Sequence, residues 1–104
     1  MIKEILVKEL KDSLDNRDLI LIDVRENEEY AICNIEPSVH IPINKIPSHL
    51  DKLDKDTGYA IICHSGVRSH NVCFYLQSHG FKVRNVVGGI NQWASEIDDT
   101  MKQY

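Results

Sequence analysis

The chain has 104 residues, 42% of them hydrophobic, and a formal net charge of -4. That composition suits one globular domain over residues 1–104. The acidic balance disfavours a nucleic-acid role, which needs a basic face, and no apolar run approaches the length of a membrane span.

In chain order, Ile2 to Leu6 reads as a short strand. Lys8 to Leu14 reads as a small helix, with Leu10 and Leu14 at i, i+4. Leu19 to Ile22 is almost wholly apolar, as in a central parallel strand covered on both faces, and Asp23 ends it. A short helix is expected over Glu26 to Ile32, and a small strand over Val39 to Ile41, stopped by Pro42. Another short helix is expected over Ile46 to Leu53, with Pro47 in its first turn. Tyr59 to Cys63 is a buried strand. Ser69, Val72, Cys73 and Leu76 then fall on one helical face, and Gly80 fits the cap. Lys82 to Val87 is the last strand, and Ile90, Trp93, Ala94, Ile97 and Met101 mark a C-terminal helix. Strands alternating with helices predict an α/β fold: a parallel sheet flanked by helices on both faces. In such sheets ligands sit beyond the carboxyl ends of strands, where Asp23 and Cys63 both fall.

The stretch that organises the chain runs from Ala60 to Ser69. An apolar strand stops at Cys63, and His64, Ser65, Gly66 and Val67 lead through Arg68 and Ser69 into a helix. Backbone N–H groups of such a loop, with the helix dipole behind them, favour an anion. They favour thiolate over thiol, and the thiolate is the nucleophile. Arg68 adds a planar cationic fork suited to oxyanions, with pairing to an acidic neighbour as its plainer reading and the substrate favoured by its place at the loop's end. Lowering a thiol pKa by two units takes about 2.7 kcal/mol. A helix terminus supplies about 0.3–1 kcal/mol, so the loop amides and Arg68 are expected to contribute.

This loop resembles the active-site loop of the rhodanese family of sulfurtransferases. Leu21-Ile22-Asp23-Val24-Arg25, followed by Glu28-Glu29-Tyr30, resembles the family's Asp-Val-Arg segment and the acidic helix after it. Ile41-Pro42 is similar to its Ile-Pro turn. Gly80-Phe81, then Val86-Val87-Gly88-Gly89 and Trp93, resemble its C-terminal Gly-Gly-x-x-x-Trp signature. The set covers most of the chain in the family's order and implies a five-stranded parallel sheet of rhodanese type. The chain departs from the pattern at Cys33-Asn34-Ile35, where the family reads Gly-His-Ile. It departs again at Pro37-Ser38, where Gly-Ala is usual, and at His40, where Asn is common.

Each candidate has a plainer reading. A free cysteine is most often a buried structural residue. The glycine, arginine and helix start after Cys63 reverse that default, whereas Cys73 lies on the apolar stripe and reads as core. Cys33 is incidental to the chemistry and open to exposure and oxidation. Cys63, His64, His70 and Cys73 match no common zinc spacing, and Cys73 is expected to face the core while Cys63 faces solvent, so no metal is expected. Asp23 and Arg25 read either as a surface ion pair or as scaffold around the loop. Three cysteines without a Cys-x-x-Cys pair argue against a disulfide framework. Met1-Ile2-Lys3-Glu4 lacks the features of a signal peptide, so a cytoplasmic location is expected.

The resemblance implies a thiosulfate sulfurtransferase without a cofactor. Cys63 takes the outer sulfur of a small anionic donor such as thiosulfate and holds it as a persulfide. A thiophilic acceptor then removes it: cyanide in an assay, a small-molecule or protein thiol in the cell. Substrate contacts are expected from His64, Ser65, Gly66, Val67, Arg68 and Ser69. A persulfide-relay protein serving a dedicated partner is the nearest alternative. A Cys-dependent phosphatase or arsenate reductase is disfavoured, because only four residues separate Cys63 from Arg68. Relatives of this fold with those activities resemble a pattern with five.

Overall fold

The computed structural model describes residues 1–104. Its strands are β1 (Lys3–Ile5), β2 (Ile20–Asp23), β3 (Val39–His40), β4 (Gly58–Ile62) and β5 (Lys82–Val86). Its helices are α1 (Val7–Asn16), α2 (Asn27–Ile32), α3 (Val67–Ser78) and α4 (Gly89–Glu96). All strand pairs are parallel, in the order β1-β5-β4-β2-β3. From β2 the chain moves outward to β3, and from β4 it moves the other way to β5. The topological switch therefore lies between β4 and β2, where the two strands run side by side with Asp23 opposite Ile62.

Residue alternation along β4 divides the core in two. Tyr59, Ile61 and Cys63 join Val72, Cys73 and Leu76 of α3, together with Ile22, Val24 and Ile46. Ala60 and Ile62 join Val7 and Leu10 of α1 and Ile90 and Trp93 of α4 on the other face. Both faces of the sheet are thus covered, as a fully apolar central strand requires. No helix is long and apolar enough to cross a membrane.

Two expected helices differ. In place of one helix over Ile46 to Leu53 there are two 3₁₀ turns, Ile43–Lys45 and Pro47–Lys52. Pro47 has no N–H to continue an α-helical ladder from Ile43, and the segment closes instead with i→i+3 bonds such as His49 N–H to the Ile46 carbonyl at 3.0 Å. The last helix stops at Glu96, five residues before Met101. Ile97 and Asp98 both donate to the Trp93 carbonyl, and the Asp98 carboxylate accepts the Thr100 N–H at 3.1 Å, which turns the chain. Met101 still packs on the α4 side of the core.

Candidate active site

Cys63 is the first residue beyond β4, and its loop closes around the sulfur. The Gly66 N–H reaches Cys63 Sγ at 3.1 Å, the Ser69 N–H at 3.4 Å and the Ser69 hydroxyl at 3.3 Å. Gly66 holds φ +105°, a left-handed conformation that turns its N–H inward at little cost to a glycine. Burial opposes ionisation of Cys63, but hydrogen bonds from the Ser69 hydroxyl and the Ser69, Gly66 and Ser65 N–H groups outweigh it. The thiol is held below its ordinary value. Cys73 has no such donors: burial and the neighbouring Cys63 charge push it up to about 12.

The loop is held from below by the Gly88-Gly89 turn. Ile90 N–H donates to the Cys63 carbonyl at 2.9 Å and Asn91 N–H to the His64 carbonyl at 3.0 Å. From β5, Asn85 donates through Nδ2 to the Gly66 carbonyl at 3.0 Å and accepts the Ser69 hydroxyl at 2.5 Å. One hydroxyl proton thus has two acceptors, Asn85 Oδ1 and Cys63 Sγ. It is free to turn to the sulfur when the thiolate forms.

Beside the loop lies a buried ionic scaffold. Arg25 Nη2 meets Asp23 Oδ2 at 2.7 Å, with Arg25 and Asp23 at 0% and 1% exposure. The surface-pair reading is overturned, because parallel packing encloses both residues. The Arg25 fork is satisfied further by the Cys33 and Glu29 carbonyls and the Tyr104 hydroxyl. Burial lowers the Arg25 pKa, and Asp23 and Tyr104 more than compensate. The divergent turn completes this enclosure. Cys33 is buried against Arg25, not exposed, and His40 Nε2 lies 2.7 Å from the Arg25 carbonyl, its ring stacked on Tyr30.

The predicted residues are only partly brought together. Gly66 and Ser69 face the sulfur, while Val67 is 70% exposed at the start of α3 and the His64 ring stacks on Tyr104. Arg68 turns to Glu29, with Nη1 and Nη2 at 2.7 and 2.8 Å from its two carboxylate oxygens. Cys63 does not face solvent: it is 1% exposed and shares a core cluster with Cys73, because strand alternation points both toward the same layer.

Three site residues escaped the sequence. Asn85 carried a faint signal, an amide at the same strand parity as buried Val83. Glu29 was visible only as part of an acidic helix. Tyr104, whose hydroxyl donates to Glu29 at 2.8 Å across 75 positions, had none.

A cysteine cradled by N–H donors at a strand end, on a five-stranded parallel sheet, has counterparts among known proteins. The Rhodanese-like domain family matches residues 6–96. YtwF of Bacillus subtilis (strain 168), which carries a sulfurtransferase name, is 49% identical over 91% of this chain and 93% of its own. Thiosulfate sulfurtransferase GlpE of Coxiella burnetii is 30% identical over 89% of this chain and 88% of its own. The crystal structure of a rhodanese-like domain protein from Staphylococcus aureus matches with a TM-score of 0.86 at 37% identity, covering 92% of this chain and 95% of that one. The motif set, the sheet order and these likenesses converge on one conclusion: the chain belongs to the rhodanese-like family, in which its relatives are named sulfurtransferases.

Proposed function

We propose that this protein transfers sulfane sulfur from thiosulfate to a thiophilic acceptor through a persulfide on Cys63. The observation that carries this reading is the convergence of three hydrogen-bond donors on one buried sulfur, from Gly66 N–H and from the N–H and hydroxyl of Ser69. Donors aimed at a developing anion are what a sulfur nucleophile and its persulfide both need. The likeness to thiosulfate sulfurtransferase GlpE supports thiosulfate as the donor.

The Cys63 thiolate attacks the outer sulfur of thiosulfate. A new S–S bond forms to Cys63, the S–S bond of thiosulfate breaks, and sulfite leaves with its electron pair. The enzyme persulfide retains one negative charge, spread over a sulfur that the loop N–H groups from His64 to Ser69 hold. Arg68 takes the oxyanion end of the donor. Cyanide or an acceptor thiolate then attacks the outer sulfur, leaves as thiocyanate or an organic persulfide, and returns Cys63 as thiolate. No cofactor enters, and a reducing compartment such as the cytoplasm keeps the nucleophile available.

The test is sulfur loading. Thiosulfate without acceptor should raise the intact mass by one sulfur atom, mapped to Cys63, and cyanide should then release it as thiocyanate. Cys63→Ser should abolish both steps, while Cys33→Ser and Cys73→Ala still load. Loading that survives Cys63→Ser sinks the assignment. Loading on Cys63 that cyanide does not discharge points instead to a relay with a dedicated partner.

A further inference from the structure

Glu29 occupies the face of Arg68 that an oxyanion would need. Both guanidinium nitrogens at the end of the fork are committed to it, at 2.7 and 2.8 Å. Glu29 is itself fixed in three further ways. Its Oε1 accepts the Glu26 N–H at 3.0 Å, its Oε2 accepts the Tyr104 hydroxyl at 2.8 Å, and its own carbonyl accepts Arg25 Nη1 at 3.3 Å. The carboxylate therefore does not need Arg68 to stay in place. Arg68 keeps 36% side-chain exposure and Glu29 19%, so water reaches the pair and exchange is open. The Glu29 carboxyl is held down to about 2, first by Arg68, and is charged throughout any assay near neutrality.

A bidentate carboxylate and a sulfonate use the same two parallel N–H directions. A dianionic donor cannot add to the closed pair. It must displace Glu29 from Arg68 and then sit beside the carboxylate it displaced. We infer that Glu29 is a specificity-determining residue, a built-in competitor for the donor oxyanion that disfavours thiosulfate relative to sulfur donors carrying no oxyanion. This rests on the proposed sulfurtransferase reading with Arg68 as the donor contact. For the second class of donor, an organic persulfide, the Cys63 thiolate attacks the outer sulfur, the donor S–S bond breaks and the organic thiolate leaves with its electron pair. The Arg68–Glu29 pair stays closed throughout.

Glu29→Gln tests this with little change of shape. The amide oxygen can still accept the Glu26 N–H, while the charge and the fork-to-fork pairing are lost. Two donors are compared by steady-state kinetics: thiosulfate, and the persulfide of N-acetylcysteamine, which bears no oxyanion. Expected for Glu29→Gln is a fall in the thiosulfate KM of about five-fold, equivalent to about 1 kcal/mol. The kcat should change little, and the N-acetylcysteamine persulfide KM should be unchanged. Glu29→Ala, tolerated by helix propensity, should move thiosulfate the same way, and Glu29→Asp, which keeps the charge, should not. A thiosulfate KM that is unchanged or rises in both Gln and Ala variants overturns the inference. Equal improvement with both donors also overturns it. A merely structural Glu29 would raise both KM values together. Failure of the wild-type protein to load sulfur from either donor is a different result: it overturns the sulfurtransferase reading and takes this inference with it.

Discussion

Gly89 lies so close beneath Cys63 that a Cβ on Gly89 would stand 2.4 Å from the Cys63 carbonyl oxygen and 2.6 Å from that of His64. Its φ of +57° is also left-handed. The glycine pair thus lets α4 begin directly against the Cys63 loop, where Ile90 and Asn91 donate to these same two carbonyls. Gly89→Ala adds a methyl group against backbone that has nowhere to move. A loss of about 3 kcal/mol is expected, at the high end of ordinary substitutions. Urea unfolding should show a lower midpoint, and sulfur transfer should fall with it. An unchanged midpoint would show that the loop has slack the structure does not suggest.

The thiols should differ in their response to pH. Alkylation by iodoacetamide follows the thiolate fraction, which grows with pH and reaches its plateau earlier for a lower pKa. Cys63 should therefore react first near neutrality, with a midpoint below that of a free thiol, while Cys73, pushed up to about 12, stays largely unreacted. Ser69→Ala removes the hydroxyl donor to Cys63 and should move the Cys63 midpoint upward. Loss of a hydrogen bond to a charged group costs about 1.5–3 kcal/mol, so turnover at neutral pH should drop about ten-fold or more. Faster labelling of Cys73 in the folded protein would contradict both the burial and the cradle.

Arg68→Lys keeps a cation and removes the bidentate fork. With thiosulfate, KM should rise about ten-fold, near the 1.4 kcal/mol that a second charge-assisted bond is worth, and kcat should move less. Circular dichroism should show the fold intact. An unchanged KM would place the donor oxyanion elsewhere.

Hydrolysis of an aryl phosphate should be absent. The four residues between Cys63 and Arg68 make a loop one residue short of the phosphatase pattern, with the Ser65, Gly66 and Ser69 N–H groups turned to the sulfur itself. A tetrahedral phosphate needs donors around three oxygens at once. Phosphate release that disappears in Cys63→Ser would require a different function for the loop.

What the sequence determined by itself is local. The apolar run Tyr59 to Ile62 had to be a covered strand, and the spacing of Val72, Cys73 and Leu76 had to be a helix face. Both follow from burying side chains at the period of the backbone. Gly66 marked a loop between these two elements, and that loop placed Cys63 at the strand end. The helix after Ile46 was misjudged where Pro47 broke the α-helical ladder and left 3₁₀ turns, and the last helix where Asp98 turned the chain ahead of an apolar residue that still reached the core. Only the tertiary structure decided what surrounds the sulfur. Whether Asp23 and Arg25 lay on the surface or inside depended on the turn through Cys33 closing over them. Arg68 was free to bind a donor or a carboxylate until α2 brought Glu29 to it from 39 positions away. Asn85 and Tyr104 joined the site only when β5 paired with β4 and the C-terminal segment crossed the loop. Hydrogen bonds and ion pairs are short-ranged and depend on the meeting of distant segments. Hydrophobic periodicity is a property of each segment alone, which is why the sheet and the place of the Cys63 loop at a strand end were legible in the sequence and the partners of Arg68 and Cys63 were not.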